Sequence, residues 1–295
     1  MAEKKLTLDI LTAKIAEKNL RWKATENRVS QLSPEMRKKR LGLVPTTAEM
    51  GLIKKLGLHT ETESRHLGRP VKLGAPVKGV AASIDWRPYG TKIRDQGDCG
   101  ACVAFGTLGV LEALLKIHYY KDQKKDVNLS EAHLFFCGGG SCDDGWHPKN
   151  ACAYLKKNGV PDEACFPYKD STMDCSRTCT DWKKRTDHTK IASFGSSKTI
   201  ATLKKRLSTN GPQISGIAVY TDFFSYKSGV YQHVSGKLEG YHCIGVFGYN
   251  DADRCWICRN SWNTDWGEAG WFRIGYGECG IEDAFGMFNM VVSEK

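Results

Sequence analysis

Asp95-Gln96-Gly97-Asp98-Cys99-Gly100-Ala101-Cys102-Val103-Ala104-Phe105 is the stretch on which the reading of this chain turns. A polar, glycine-containing loop runs straight into an apolar segment from Cys102 to Ile117. Leu108, Leu111, Leu114, Leu115 and Ile117 recur at helical spacing, which predicts a buried helix. Cys102 falls in its first turn, where unpaired N–H groups and the positive dipole end favour a thiolate. A thiolate is the nucleophile that cysteine chemistry requires.

Other readings stay open on this stretch alone. A cysteine in an apolar helix is commonly a small core residue. Cys99-x-x-Cys102 also has the spacing of a redox pair or of half a zinc site. The far end of the chain weighs between them. Gly240-Tyr241-His242-Cys243 places a histidine 140 residues after Cys102, and Cys258-Arg259-Asn260-Ser261-Trp262 places an asparagine 158 residues after it.

A Cys-Gly-[Ser/Ala]-Cys run with His and Asn about 130–150 residues downstream is a papain-type signature. Asp85-Trp86-Arg87, Leu129-Ser130-Glu131, Phe166-Pro167-Tyr168 and Trp266-Gly267-Glu268-x-Gly270 add short matches in the same order. From about Ser83 onward the chain therefore resembles the papain family of cysteine proteases. The resemblance implies an α+β, two-lobed fold with the cleft between a helical lobe, about 95–190, and a β-barrel-like lobe, about 191–290. It implies Cys102 as nucleophile, His242 as its proton partner, Asn260 as orienter of the imidazole and Gln96 as side-chain donor to the oxyanion. Trp262 would cover the His–Asn bond. Gly145 would bond an extended peptide, Trp146 would wall the second substrate pocket, Ala284 would form its floor, and Tyr241 would stand beside the histidine. Disulfides Cys99–Cys142 and Cys137–Cys175 also come from the resemblance, and no cofactor or metal is called for.

Charge separates the chain into two parts. Residues 1–80 carry 17 Lys+Arg against 8 Asp+Glu, and the remainder carries 26 against 25. The body that holds the chemistry is thus near neutral and lacks the aromatic-basic interleaving of a nucleic-acid surface. No run of 18 uninterrupted apolar residues suggests a membrane span, and Met1-Ala2-Glu3-Lys4-Lys5 lacks the apolar stretch of a signal peptide. All 12 cysteines lie after residue 98, which favours disulfides and an oxidising compartment. With Cys102 free, 11 remain, so at least one more is unpaired or bonds another chain; Cys243 is the candidate.

In residues 1–80, Leu6 to Trp22 reads as an amphipathic helix, and Ser33-Pro34 as the start of a second that ends near Leu41-Gly42. Residues 56–82 read as an extended linker. By resemblance this segment is an inhibitory propeptide that threads the cleft; a solvated helical adaptor is the other reading. Ser130 is expected to cap a further helix, and another is expected near Thr199–Leu207. Strands are expected at Gln213–Val219, Gly229–His233, His242–Tyr249, Cys255–Arg259 and Gly270–Ile274.

The partners implied are polypeptide substrates, the chain's own propeptide and protein inhibitors of such enzymes, with the protein acting as a monomer. Three departures from the family pattern stand out: Val103 for an aromatic, Tyr241 for an acidic or amide residue, and Asn263 for glycine. They leave a catalytically weak or silent papain-like binding protein as the alternative to a cysteine endopeptidase made as a zymogen.

Overall fold

The computed structural model describes residues 6–58 and 79–293. Most of the expected linker, residues 59–78, lies outside the described residues.

The chain begins with α1 (Leu8–Glu17), β1 (Trp22–Ala24), α2 (Pro34–Lys39) and α3 (Thr47–Leu56). The expected helix to Trp22 stops at Glu17, because Asn19 takes a left-handed φ of 51° and Trp22 leaves as strand. Trp22 is instead held by aromatic packing on Tyr226 and Tyr231. Ser33 caps α2 by accepting from the Met36 N–H at 3.3 Å. That helix ends at Lys39, short of Leu41-Gly42, because Arg40 turns inward and is buried. Thr46 and Glu49 close a capping box on α3, and Gly57 ends it at φ 69°.

The body follows with β2 (Ser83–Asp85), α4 (Cys102–Leu114), α5 (Glu131–Gly138) and α6 (Pro148–Asn158). Every residue of α4 is buried, and the helix runs on through a π turn at Leu115–Tyr119. By length and composition Cys102–Tyr119 could cross a membrane, yet 83% of it is buried inside the protein. Its apolarity is that of a core helix. Ser130 caps α5 through the His133 N–H at 3.0 Å. Three disulfides tie this half: Cys99–Cys142, Cys137–Cys175 and, beyond the two named from sequence, Cys165–Cys179.

The second half is β3 (Ile191–Ser197), α7 (Ile200–Asn210), β4 (Gln213–Tyr220), β5 (Tyr226–Tyr231), β6 (Leu238–Asn250), β7 (Cys255–Arg259), β8 (Trp271–Gly275) and β9 (Met287–Val292). Nine strands form one open, mixed sheet in the order β1-β5-β8-β7-β6-β4-β9-β3, with β2 also on β6. Its core is aromatic: Phe223, Phe224, Tyr226, Trp262, Trp266 and Phe272 are all fully buried. One apolar cluster centres on α4 and the other on this sheet, and the cleft runs between them. The chain is thus an α+β, two-lobed molecule.

Candidate active site

Two cations, the part-buried Arg94 and the buried Arg259, fix the loop that precedes Cys102. Arg94 bridges Glu112, at 2.7 Å, and Glu131. Arg259, at the end of β7, donates to the carbonyls of Thr91 at 2.6 Å and Lys92 at 2.7 Å. The strand that delivers Asn260 is therefore bonded to the loop that delivers Gln96. Gln96 N–H donates to the Ser261 carbonyl at 2.9 Å, and Ser261 Oγ donates to Gln96 Oε1 at 2.7 Å. Ser261, which the sequence reading passed over, thereby sets the direction of the Gln96 amide.

His242 lies on β6 opposite Ile217 of β4. Its Nε2 is 2.8 Å from Asn260 Oδ1, and Asn260 Oδ1 also accepts from the Ser261 N–H at 2.8 Å. An amide oxygen accepts only, so Nε2 carries the proton and Nδ1 is the atom free for exchange. Trp262 lies over the ring, with centroids 4.7 Å apart. Cys102 Sγ accepts from the N–H of Cys243, the residue after His242, at 3.4 Å. The sulfur and the imidazole thus belong to one buried crossing of α4 and β6.

The N-terminal segment fills that crossing. Gly42 N–H donates to Cys102 Sγ at 3.3 Å. The Trp146 N–H donates to the Gly42 carbonyl at 2.7 Å, the Val44 N–H donates to the Trp146 carbonyl at 2.9 Å, and the Leu43 N–H donates to the Tyr241 carbonyl at 3.2 Å. Residues 42–44 thereby pair as a parallel strand with the Gly145-Trp146 edge. A β-carbon on Gly42 would stand 1.8 Å from the Gly100 oxygen, and one on Gly145 would stand 2.2 Å from the Gly42 oxygen. Both positions need glycine because two main chains touch there.

Leu43 enters a pocket against Gly216 and Phe285, where a β-carbon on Gly216 would lie 2.4 Å from Leu43 Cδ2. Burying a leucine side chain contributes on the order of 2 kcal/mol. Tyr241 packs on Phe285 with centroids 5.9 Å apart, and Ala284 is fully buried next to it, its carbonyl accepting from Lys198 Nζ at 2.6 Å. Gln96 Nε2 donates to the Cys99 carbonyl at 2.9 Å and to the Arg40 carbonyl at 3.2 Å. Arg40 itself pairs with Asp95 at 2.8 Å and Asp98 at 3.3 Å.

Burial under this cover disfavours the charged form of both side chains. Burial pushes the Cys102 thiol up to about 11, against the pull of the Cys243 and Gly42 N–H groups. Burial lowers His242 to about 4; the Asn260 bond opposes the fall and the Arg40 guanidinium adds to it. Of the departures from the family pattern, Val103 is fully buried in the core and Asn263 takes φ 68°, a left-handed turn that asparagine tolerates.

Residues 80–287 match the family model described as "Papain family cysteine protease". The chain is 35% identical over 206 residues to Cathepsin B-like CP3 of Giardia intestinalis, covering 65% of this chain and 67% of that protein. It is 31% identical over 220 residues to the gut-specific cysteine proteinase of Caenorhabditis elegans, covering 65% and 66%. Proposed from sequence as a likeness, the family is now shown: the chain belongs to the papain family of cysteine proteases. Its fold is also that of proCathepsin B S9 from Trypanosoma congolense, with a TM-score of 0.74 at 26% identity over 98% of this chain and 99% of that one. A digestive procathepsin L 3 from Tenebrio molitor larval midgut shares the fold at TM-score 0.70 and 23% identity, over 96% and 87% of the two chains.

Proposed function

We propose that this cysteine peptidase is an endopeptidase zymogen in which Cys102 attacks the peptide carbonyl carbon. His242 takes the thiol proton and returns it to the leaving amine. Asn260 orients the ring. Gln96 Nε2 and the Cys102 N–H stabilise the oxyanion, and loss of one such donor lowers turnover by about 10²–10³. Residues 1 to about 80 are the inhibitory propeptide, and 81–295 the peptidase domain. The observation that carries this reading is the crossing at Gly42: its N–H meets the sulfur while Leu43 fills the adjoining pocket.

The neighbours that meet Leu43 at Gly216 and Phe285 are apolar. The enzyme should therefore prefer Leu or Phe over Arg at the second residue before the scissile bond, and a fluorogenic panel won by Arg would refute that assignment. Relatives named cathepsin B-like raise end-directed cleavage as the rival reading. A peptide blocked at both ends separates the two, since only an endopeptidase cuts it. The activity itself is tested with a labelled epoxide after the N-terminal segment is removed by limited proteolysis. Wild type should be labelled and Cys102→Ala should not; an unlabelled wild type would favour a silent binding protein.

A further inference from the structure

We propose that Asp95 and Asp98 form an acidic subsite on the leaving-group side of the cleft, which takes an arginine or lysine at the second residue after the scissile bond. The inference rests on the protease reading above. In the structure a guanidinium already occupies the site. Arg40 Nη1 donates to Asp95 Oδ1 at 2.8 Å and Nη2 to Asp98 Oδ1 at 3.3 Å, with the Arg40 side chain 3% exposed. One planar, buried cation spans two part-exposed carboxylates, a bidentate arrangement that suits a guanidinium. Asp170 backs the loop, accepting from the Asp98 N–H at 3.3 Å.

Position along the cleft fixes the subsite. Leu43 marks the second pocket, Gly42 sits on the sulfur, and Arg40 lies beyond it. There the Arg40 carbonyl meets Gln96 Nε2, and Asp95 bridges to Trp262, the ring that covers His242. The segment runs opposite to a substrate here, from Arg40 on the leaving-group side to Leu43 in the second pocket. Its three-residue span matches the distance along the cleft from the second residue before the scissile bond to the second residue after it.

Charge supports the same occupant. The guanidinium partners of Asp95, Asp98 and Asp265 are Arg28 and Arg40, and both belong to the N-terminal segment. Once that segment leaves, these carboxylates lose both partners and the leaving-group side of the cleft seeks a cation. A substrate that brings Arg or Lys restores the pairing.

The test uses the full chain, folded and then freed of its N-terminal segment by limited proteolysis. Internally quenched peptides carry Leu at the second residue before the bond and Arg, Lys, Gln or Glu at the second residue after it. The Arg peptide should exceed the Glu peptide by about tenfold or more in kcat/KM, and the ratio should shrink in high salt. Asp98→Asn should bring the ratio toward one, and Asp98→Lys should invert it, an outcome that misfolding cannot produce. Equal rates for the Arg and Glu peptides on wild type would overturn the subsite, as would an Asp98→Lys enzyme that still prefers Arg. A coumarin amide that ends at the scissile bond separates the two failures. If it is cut while the Arg–Glu panel is flat, only the subsite falls. If it is not cut and the epoxide does not label Cys102, the protease reading falls and takes the subsite with it.

Discussion

The three disulfides Cys99–Cys142, Cys137–Cys175 and Cys165–Cys179 all lie in the helical lobe, where Cys102 and Cys152 stay free, whereas all four cysteines of the β lobe, Cys243, Cys255, Cys258 and Cys279, are unpaired and buried. The helical lobe needs its staples because residues 159–190, between α6 and β3, fold mainly into isolated 3-10 turns without a ladder of their own. The β lobe closes its main-chain hydrogen bonds within one sheet and fills the space with stacked aromatics such as Phe224 on Trp262, 5.2 Å apart. Cysteine there serves as a small apolar side chain. The proposed chemistry sits where the two kinds of support meet, with Cys102 on the stapled side and His242 and Asn260 on the packed side.

The contrast can be broken in steps. Cys102→Ala should lower hydrolysis by at least about 10⁴-fold with little change in melting temperature, since it leaves both supports intact; retained turnover would displace Cys102 from its role. The double change Cys99→Ser with Cys142→Ser opens a 43-residue link, worth about 4 kcal/mol by loop entropy. Cys258→Ala in the β lobe should cost about 1–2 kcal/mol as a small cavity. Denaturant midpoints that rank the two the other way would undo the contrast between the lobes.

At the seam, Gly42→Val drives a side chain into the Gly100 carbonyl. The full chain should then leak activity about tenfold above wild type, read on a small fluorogenic substrate; unchanged latency would mean that the crossing is not what silences the site. The smallest effect is set by pH. Glu49 is pulled up by burial and more strongly down by His147, 3.1 Å away, and by the Thr46 N–H, so its carboxyl sits below the usual range. A depressed carboxyl stabilises docking above its unfolded pKa, and that contribution is lost as pH falls through the folded value. Docking of α3 should therefore loosen in acid, seen as faster nicking by an added protease. Glu49→Gln should flatten the trend; an equally steep profile in that variant would assign the acid response elsewhere.

Much of this was legible in the sequence. The apolar period of α4 and the cap at Ser130 are local patterns, and local patterns survive in one dimension; the widely spaced order Gln96, Cys102, His242, Asn260 was legible only through the family resemblance. Thr46-x-x-Glu49 was equally local, a capping box that would have announced α3 had it been read. Other features had no such signal. Trp22 looks helical by spacing and becomes strand only because β5 offers a partner. The Cys165–Cys179 bond depends on how two turns approach. Arg40 ends the run Arg37-Lys38-Lys39-Arg40, which resembles a solvated helix terminus, and only the folded chain turns it onto Asp95 and Asp98.

Strand β1 is the outermost member of the sheet, lying along β5 from Trp22 opposite Gly229 to Ala24 opposite Tyr226. Cutting the N-terminal segment away would strip that margin and bare the faces of Tyr226 and Tyr231 on which Trp22 rests. If the chain is the zymogen proposed above, ripening would exchange latency for stickiness, making the working form the one prone to clump and the full-length chain the form suited to storage.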